Sequence, residues 1–407
     1  MSLDTENLPL YGICEWENFY RCADIRDSDR DPVEETVFLH KKMGFKTMVW
    51  ALGRDRLDYH SELPGVTPVT YDHSLHTRII KSYCPLRKAI KLCAESGMDL
   101  WGRLCMNRHY PPGSKFAQEH ADLYQVNFDG SKDFQRMTYA SETVRRERRE
   151  ILLEAQRIGV GALLLDFCRQ QPHAAYHPLE TEPFVRESGS DPRNIKSTDP
   201  DDFMPWFRHR AAHVTMFMRE LRAAVRKQER GLGRSCPVVP RVPDAPFWLL
   251  VAGGMDLETW YREDLIDGHM LSPFPWCVND ISRYPEAHTG LARRHGKPCI
   301  GGIGALNLIT QKIPVPHVMH ESFDAHPLWL LAERQINAGA AGLSVYQSES
   351  VCRMPWLEDI IPNLGRPEMV GLGLQKTGSR YGVFFTGLDW HARMEYGLNG
   401  TFAYKTL

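Results

Sequence analysis

Neither charge dominates this chain of 407 residues: 49 are basic, 51 are acidic, and the formal net charge is -2. That balance lacks the basic footprint of a nucleic-acid binder and gives no reason to expect attachment to an anionic membrane. Apolar runs long enough to span a bilayer are missing, and no secretory apolar region precedes residue 10. Ten cysteines are present, yet none falls in a CxxC or another metal-ligand spacing. Several sit inside apolar runs, where a free thiol behaves as a small hydrophobe. The expected setting is therefore a reducing compartment, the cytoplasm, or the exterior if an export signal has been removed. HExxH and GxSxG are absent, which argues against zincin chemistry and against a serine elbow. His173 and His177 lie four apart, but Pro172 and Pro178 flank them in a stretch that reads as loop. No metal and no cofactor is expected.

What the chain does have is a repeated unit of short apolar run, polar turn and amphipathic helix, the mark of parallel strands with crossover helices. The runs cover 10–16, 46–52, 98–106, 161–167, 236–242, 268–274, 297–306 and 341–346. Run 161–167, GALLLDF, is apolar through Leu165, as a strand buried on both faces should be. Pro237, Pro240 and Pro243 make the fifth run the poorest strand by composition. Eight units close a (β/α)8 TIM barrel, the fold expected for residues 8–362. A doubly wound sheet, the alternative, usually carries a glycine-rich phosphate fingerprint after its first strand. LYGICEWE has none, and Gly301-Gly302-Ile303-Gly304 comes late and lacks the spacing. Long strand-end loops are expected at 58–84, 107–140 and 168–205. Residues 363–407, with RYGVFFTGLDW and YGLNGTFAYK, read as a short β-like C-terminal extension.

Polar side chains at the C-terminal ends of barrel strands face the active site. Asp166 directly follows the apolar run LLL, with Arg169 three residues on. A carboxylate there is costly to bury unless it is paired or used. Glu349 follows the eighth run and Asp244 the fifth, so Asp166, Glu349 and Asp244 are the catalytic candidates. Glu15, on the barrel-facing parity of Ile13, stands behind them and otherwise serves binding or ion pairing. Arg54, Arg103, Asn107, Arg169 and Arg241 add cationic and amide contacts. An inward Arg103 needs Asp166, Glu15 or an anionic ligand as partner. Trp16, Trp50, Trp276 and Tyr346 close the set, since flat rings at strand ends suit sugar faces. Core packing competes for each of these rings and suits Trp50 well.

The segment GALLLDFCRQQP followed by MPWFRHRAAHVTMFMRELR resembles bacterial glycosyl-hydrolase-like barrels, the "family 10-like" group. There a fourth strand ends in Asp, a long loop follows, and a helix opens with Trp, Phe and Arg. Arg169 is in register with that group's Arg, whereas Gln170 replaces the tyrosine expected next. The resemblance implies a barrel that hydrolyses or binds carbohydrate, with Asp166 and Arg169 in its site. A glycoside hydrolase would use a pair of carboxyl groups. A carbohydrate-binding barrel without turnover is the first rival. Another barrel enzyme (lyase, isomerase or metal-dependent hydrolase) acting on an anionic sugar is the second.

Overall fold

A computed structural model describes residues 7–16, 30–53, 57–64, 74–106, 114–168, 173–195, 200–272, 284–303 and 325–377. Its strands are β1 (Leu10–Cys14), β2 (Thr47–Gly53), β3 (Asp99–Cys105), β4 (Tyr124–Val126), β5 (Lys132–Met137), β6 (Leu163–Asp166), β7 (Val238–Pro243), β8 (His269–Ser272), β9 (Cys299–Ile303) and β10 (Leu343–Tyr346). Eight of them close a parallel barrel in the order β1-β10-β9-β8-β7-β6-β3-β2, and each expected run supplies one strand. The proline-rich β7 is among them. It pairs with β6 from Leu163↔Val238 to Asp166↔Arg241, but with β8 only from Arg241↔Met270 onward. The ladder toward β8 thus begins just past Pro240, which has no N–H to give it.

Alternation along the strands separates two apolar layers. Ile13, Val49, Leu164, Val239, Met270 and Ile300 fill the barrel, with Tyr11, Trp101 and Tyr346 packed on them. Met48, Trp50, Leu163, Leu165, Val238, Val242 and Leu271 point the other way, into the layer shared with the helices. That outer layer is laid down by helices such as Pro32–Lys42, Glu142–Ile158, Pro200–Leu232 and His326–Asn337. Asp31 caps the first of these by accepting the Val33 and Glu34 amides, with Pro32 at the first helical position.

All three of the expected long loops hold more order than composition suggested. Residues 107–140 contain the antiparallel hairpin β4–β5, turned at Gly130 with φ of 84°. Residues 168–205 contain the helix Pro178–Ser188, capped at its start by His177 and ended by Gly189 in the left-handed region. The stretch 58–84 likewise ends in a helix, Ser74–Ser82. Beyond residue 362, Pro367–Thr377 is helical and packs on His326–Asn337, with Gly373 against the Trp329 ring. The start of the expected β-like extension is thus a helix, because Val370 and Leu364 join the apolar cluster around Trp329. The RYGVFFTGLDW and YGLNGTFAYK segments lie outside the described residues. Among the described residues no helix is long and apolar enough to cross a membrane, and the described cysteines are free thiols.

One buried polar chain ties β8 to the helices outside it. The Ala245 carbonyl can only accept, so His288 Nε2 donates to it at 2.9 Å. His288 Nδ1 is then bare and accepts from His269 Nε2 at 3.2 Å. His269 Nδ1 in turn accepts from the Tyr261 hydroxyl. Both rings must be neutral for the chain to run in this sense. Burial pushes His288 down to about 4 and holds His269 well below the ordinary imidazole value. Lowered folded-state values mean that the unfolded chain takes up protons first on acidification. Stability from these rings is full above about pH 6.5 and is lost as the pH falls through the window toward 4. Thermal melts should therefore show Tm climbing between pH 4.5 and 6.5 and levelling above. A His288→Gln variant should climb less steeply, and equal slopes would remove these rings as the cause.

Candidate active site

Period-two alternation carries the inward face of each strand past the apolar filling to a polar layer at the C-terminal mouth. Glu15, Arg103, Asp166, Arg241, Ser272 and Tyr346 share parity with Ile13, Trp101, Leu164, Val239, Met270 and Ser344. The order β7-β6-β3 sets Asp166 between the strands of both arginines. Arg103 Nε donates to Asp166 Oδ2 at 2.6 Å, and Arg241 Nη1 donates to both oxygens at 3.1 and 3.2 Å. The Cys168 amide adds a fourth contact, at 3.0 Å to Oδ1. A carboxylate offers about four lone-pair positions, so this carboxylate is fully coordinated.

The same guanidinium reaches a second acid. Arg103 Nη2 donates to Glu15 Oε1 at 2.9 Å, and the Tyr346 hydroxyl donates to that oxygen at 3.0 Å. Arg241 Nη2 is held by the Ser272 hydroxyl. The Tyr346 ring lies near both cations, 4.6 Å from Arg241 Cζ and 5.8 Å from Arg103 Cζ. Glu15, Asp166, Arg103, Arg241 and Ser272 are all buried, while Tyr346 is partly exposed. Two arginines against two acids leave this group with no net charge, the condition under which buried ions are tolerated.

Burial alone would raise the Asp166 carboxyl. Arg241, then Arg103 and the Cys168 amide, outweigh it and hold the group well below the usual carboxylate range. Asp166 is thus ionised throughout the physiological range and has no proton to give. Burial pushes the neighbouring Cys168 thiol up, so it stays protonated.

Glu349 comes from the seam where the barrel closes. Its Oε2 accepts the Glu15 backbone amide at 3.0 Å, linking the ends of β10 and β1. Asp244 is placed differently. It has the outward parity of Val242, and its Oδ1 accepts the Tyr284 amide at 3.1 Å, tying the start of helix Pro285–Arg294 to β7. Trp50 faces the helices, and Trp16 stacks on it with ring centroids 5.4 Å apart at 15°. Both rings are fully buried in the outer apolar layer, where they pack with the core. Arg54, Asn107, Arg169 and Trp276 lie outside the described residues.

His173 and His177 serve the backbone: His173 Nε2 donates to the Phe167 carbonyl, and His177 Nδ1 accepts the Leu179 amide. Among the described residues no group of three or more His, Cys, Asp or Glu is arranged to hold a metal ion. Sequence reasoning missed Ser272, although its alternation with Met270 in HMLS marks it as inward. It also passed over Ser348, which bonds His40 beside the seam at 2.7 Å.

No family model matches the chain, and no curated protein matches it. Solved structures do. The β-galactosidase of the psychrophilic Marinomonas ef1 aligns over 83% of this chain and 54% of its own, at 14% identity and a TM-score of 0.53. A β-galactosidase of the Antarctic haloarchaeon Halorubrum lacusprofundi covers 90% of this chain and 58% of its own, at 12% identity and a TM-score of 0.54. The catalytic domain of the β-amylase of Paenibacillus polymyxa covers 92% of this chain and 98% of its own, at 10% identity and a TM-score of 0.50. The chain therefore spans little more than half the length of the two galactosidases and nearly all of the amylase domain. Identities this low speak for the fold: the chain has a (β/α)8 barrel of the kind found in these glycoside hydrolases.

Proposed function

We propose that the protein is a glycoside hydrolase working at the C-terminal mouth of its barrel, with Glu15 and Glu349 as reacting carboxylates and Asp166 as the fixed charge that organises them. One observation carries this reading: Glu349 Oε2 accepts the Glu15 backbone amide at 3.0 Å across the β1–β10 seam, which brings an acid-bearing residue from each strand end together. Glycosidic hydrolysis needs such a pair, one acting as acid and one as nucleophile or base. Glu15 suits the second role, because Arg103 and Tyr346 aim its Oε1. Glu349 takes the acid role. Asp166, the strongest catalytic candidate by sequence, has every acceptor position filled and would have to break a contact to react. Asp244 is assigned to the start of helix Pro285–Arg294 and not to the chemistry. The partly exposed Tyr346 ring offers a flat face for a sugar. The narrower "family 10-like" grouping rests on Asp166, Arg169, the long loop after them and the helix that opens with Trp206, Phe207 and Arg208. The filled coordination of Asp166 also suits a carbohydrate-binding barrel without turnover, which the same assay separates.

Wild-type protein should release sugar from at least one substrate in a panel of polysaccharides and oligosaccharides that includes uronic-acid-containing ones. Glu15→Gln and Glu349→Gln should each lower kcat by about 100-fold or more, the scale of acid–base catalysis. Azide or formate, small anions that can fill the cavity of a deleted carboxylate, should restore turnover to Glu15→Ala and not to Asp166→Ala. Rescue of Asp166→Ala alone would return the reacting role to Asp166. Sugar binding without release from any substrate would favour the binding barrel.

The anchoring role of Asp166 has its own consequence for stability. Arg241→Gln removes two of its contacts and leaves buried charge uncompensated. Such a change costs about 3–5 kcal/mol, to be read from denaturant midpoints at neutral pH. A loss under about 1 kcal/mol would mean that the layer does not depend on this pair.

A further inference from the structure

The turn that carries Glu349 is strained and is held from outside the barrel. Directly after β10, Gln347 takes φ of 53°, in the left-handed region that side chains other than glycine rarely adopt. Such residues persist only where their surroundings over-determine them, and they cluster at functional sites. Ser348 then opens the short helix Ser348–Val351, and the Cys352 amide closes back on its carbonyl at 2.9 Å. The holding contact is made by a fully buried histidine of helix Pro32–Lys42. His40 Nδ1 lies 2.7 Å from the Thr36 carbonyl, which can only accept, so Nδ1 carries the proton. Nε2 is then bare and accepts the Ser348 hydroxyl at 2.7 Å.

This pair reaches across β1 only because position 12 is glycine. A Cβ there would stand 2.7 Å from His40 Cδ2 and 3.0 Å from Ser348 Oγ. Gly12 also pairs with Val345 of β10 and Met48 of β2, so the gap opens at the seam itself. One residue past Ser348, Glu349 reaches the Glu15 amide. Gly12, His40, Ser348, Glu349 and Glu15 therefore form one continuous path from the outer helix layer to the mouth.

We infer that His40 and Ser348 are positioning residues: their hydrogen bond, admitted by Gly12, fixes the turn that presents Glu349 to Glu15. The inference rests on the proposed role of Glu349, since a fixed carboxylate matters only if it reacts. Neither side chain touches the mouth, so both act through Glu349. The pair gives no nucleophilic dyad, being shut away from solvent beneath β1.

Two variants test it. Ser348→Ala removes the hydroxyl and nothing else; Gly12→Ala keeps both groups and pushes them apart. In each, kcat on a cleaved glycan should fall about 10- to 100-fold, the scale of a displacement near 1 Å, while KM stays within about twofold. The double variant should be no worse than the poorer single, because both break one contact. Independently of any substrate, native-state hydrogen exchange at the Glu15 amide should quicken about tenfold or more, with the Ile13 amide unchanged. Unaltered exchange at Glu15 in Ser348→Ala would overturn the inference. So would a fall in kcat accompanied by equal quickening at Ile13, since that marks general loosening. If the wild type cleaves no glycan, the hydrolase reading fails, while the Glu15 exchange still decides whether the pair positions Glu349. Should Gly12→Ala fail to fold, Ser348→Ala carries the test by itself.

Discussion

Asp166 between Arg103 and Arg241 is the contact on which the mouth of this barrel depends. The register sets Asp166 directly beside Arg241, while Arg103 reaches up from the level of Leu164. Three buried ions on neighbouring strands would be prohibitive singly, and the desolvation of each is offset only by the others and by Glu15. The result is a neutral, hydrogen-bonded plate over the apolar filling of the barrel, with Arg103 Nη1 and Arg241 Nε left without a partner among the described residues. Arg103 is the hinge of that plate, because the same guanidinium holds Asp166 through Nε and Glu15 through Nη2. Whatever Glu15 does, it does from a position set by Asp166.

The second constraint is the seam. A barrel must close between its first and last strands, and here β1 and β10 do so in four register pairs. Just past the last of them, Ile13↔Tyr346, lie Glu15 on one strand and Gln347 and Glu349 on the other. The closure thus brings together residues more than 330 positions apart in sequence, as in the Glu15–Glu349 bond. A strained Gln347 at this place, supported by a buried hydrogen bond from another layer, is consistent with local order being given up for the placement of a side chain. With the β-galactosidase and β-amylase structures to which it is similar, the chain shares its fold. Fold alone does not carry their activities over, so the case for hydrolysis rests on the carboxylates.

Much of the fold was legible in the sequence because strands buried on both faces leave continuous apolar runs, and eight such runs alternate with amphipathic helices. Even the proline-rich β7 was found by that alternation, with its missing N–H absorbed on the β8 side. The hairpin β4–β5 and the helix Pro178–Ser188 were less visible, since long polar stretches between runs read as loop. Their signals were nonetheless present: Asp129-Gly130 at the hairpin turn, and Pro178 and Gly189 at the two ends of the helix. For the site, position at or near the strand ends singled out Arg103, Asp166, Arg241 and Tyr346, and parity singled out Glu15. The same rule applied without exception would have added Ser272 and moved Trp50 and Asp244 to the outward face.

By itself, then, the sequence determined the barrel, the end of it that carries the polar groups, and the inward parity of the acids and arginines, because these follow from periodicity along single strands. Only the tertiary structure decided which acid each arginine holds, that Asp166 is saturated while Glu15 and Glu349 meet at the seam, and that Trp16 and Trp50 stack on each other. Pairing across a closed barrel depends on the register between strands and on which strand becomes the neighbour of which. No pattern along one strand records either.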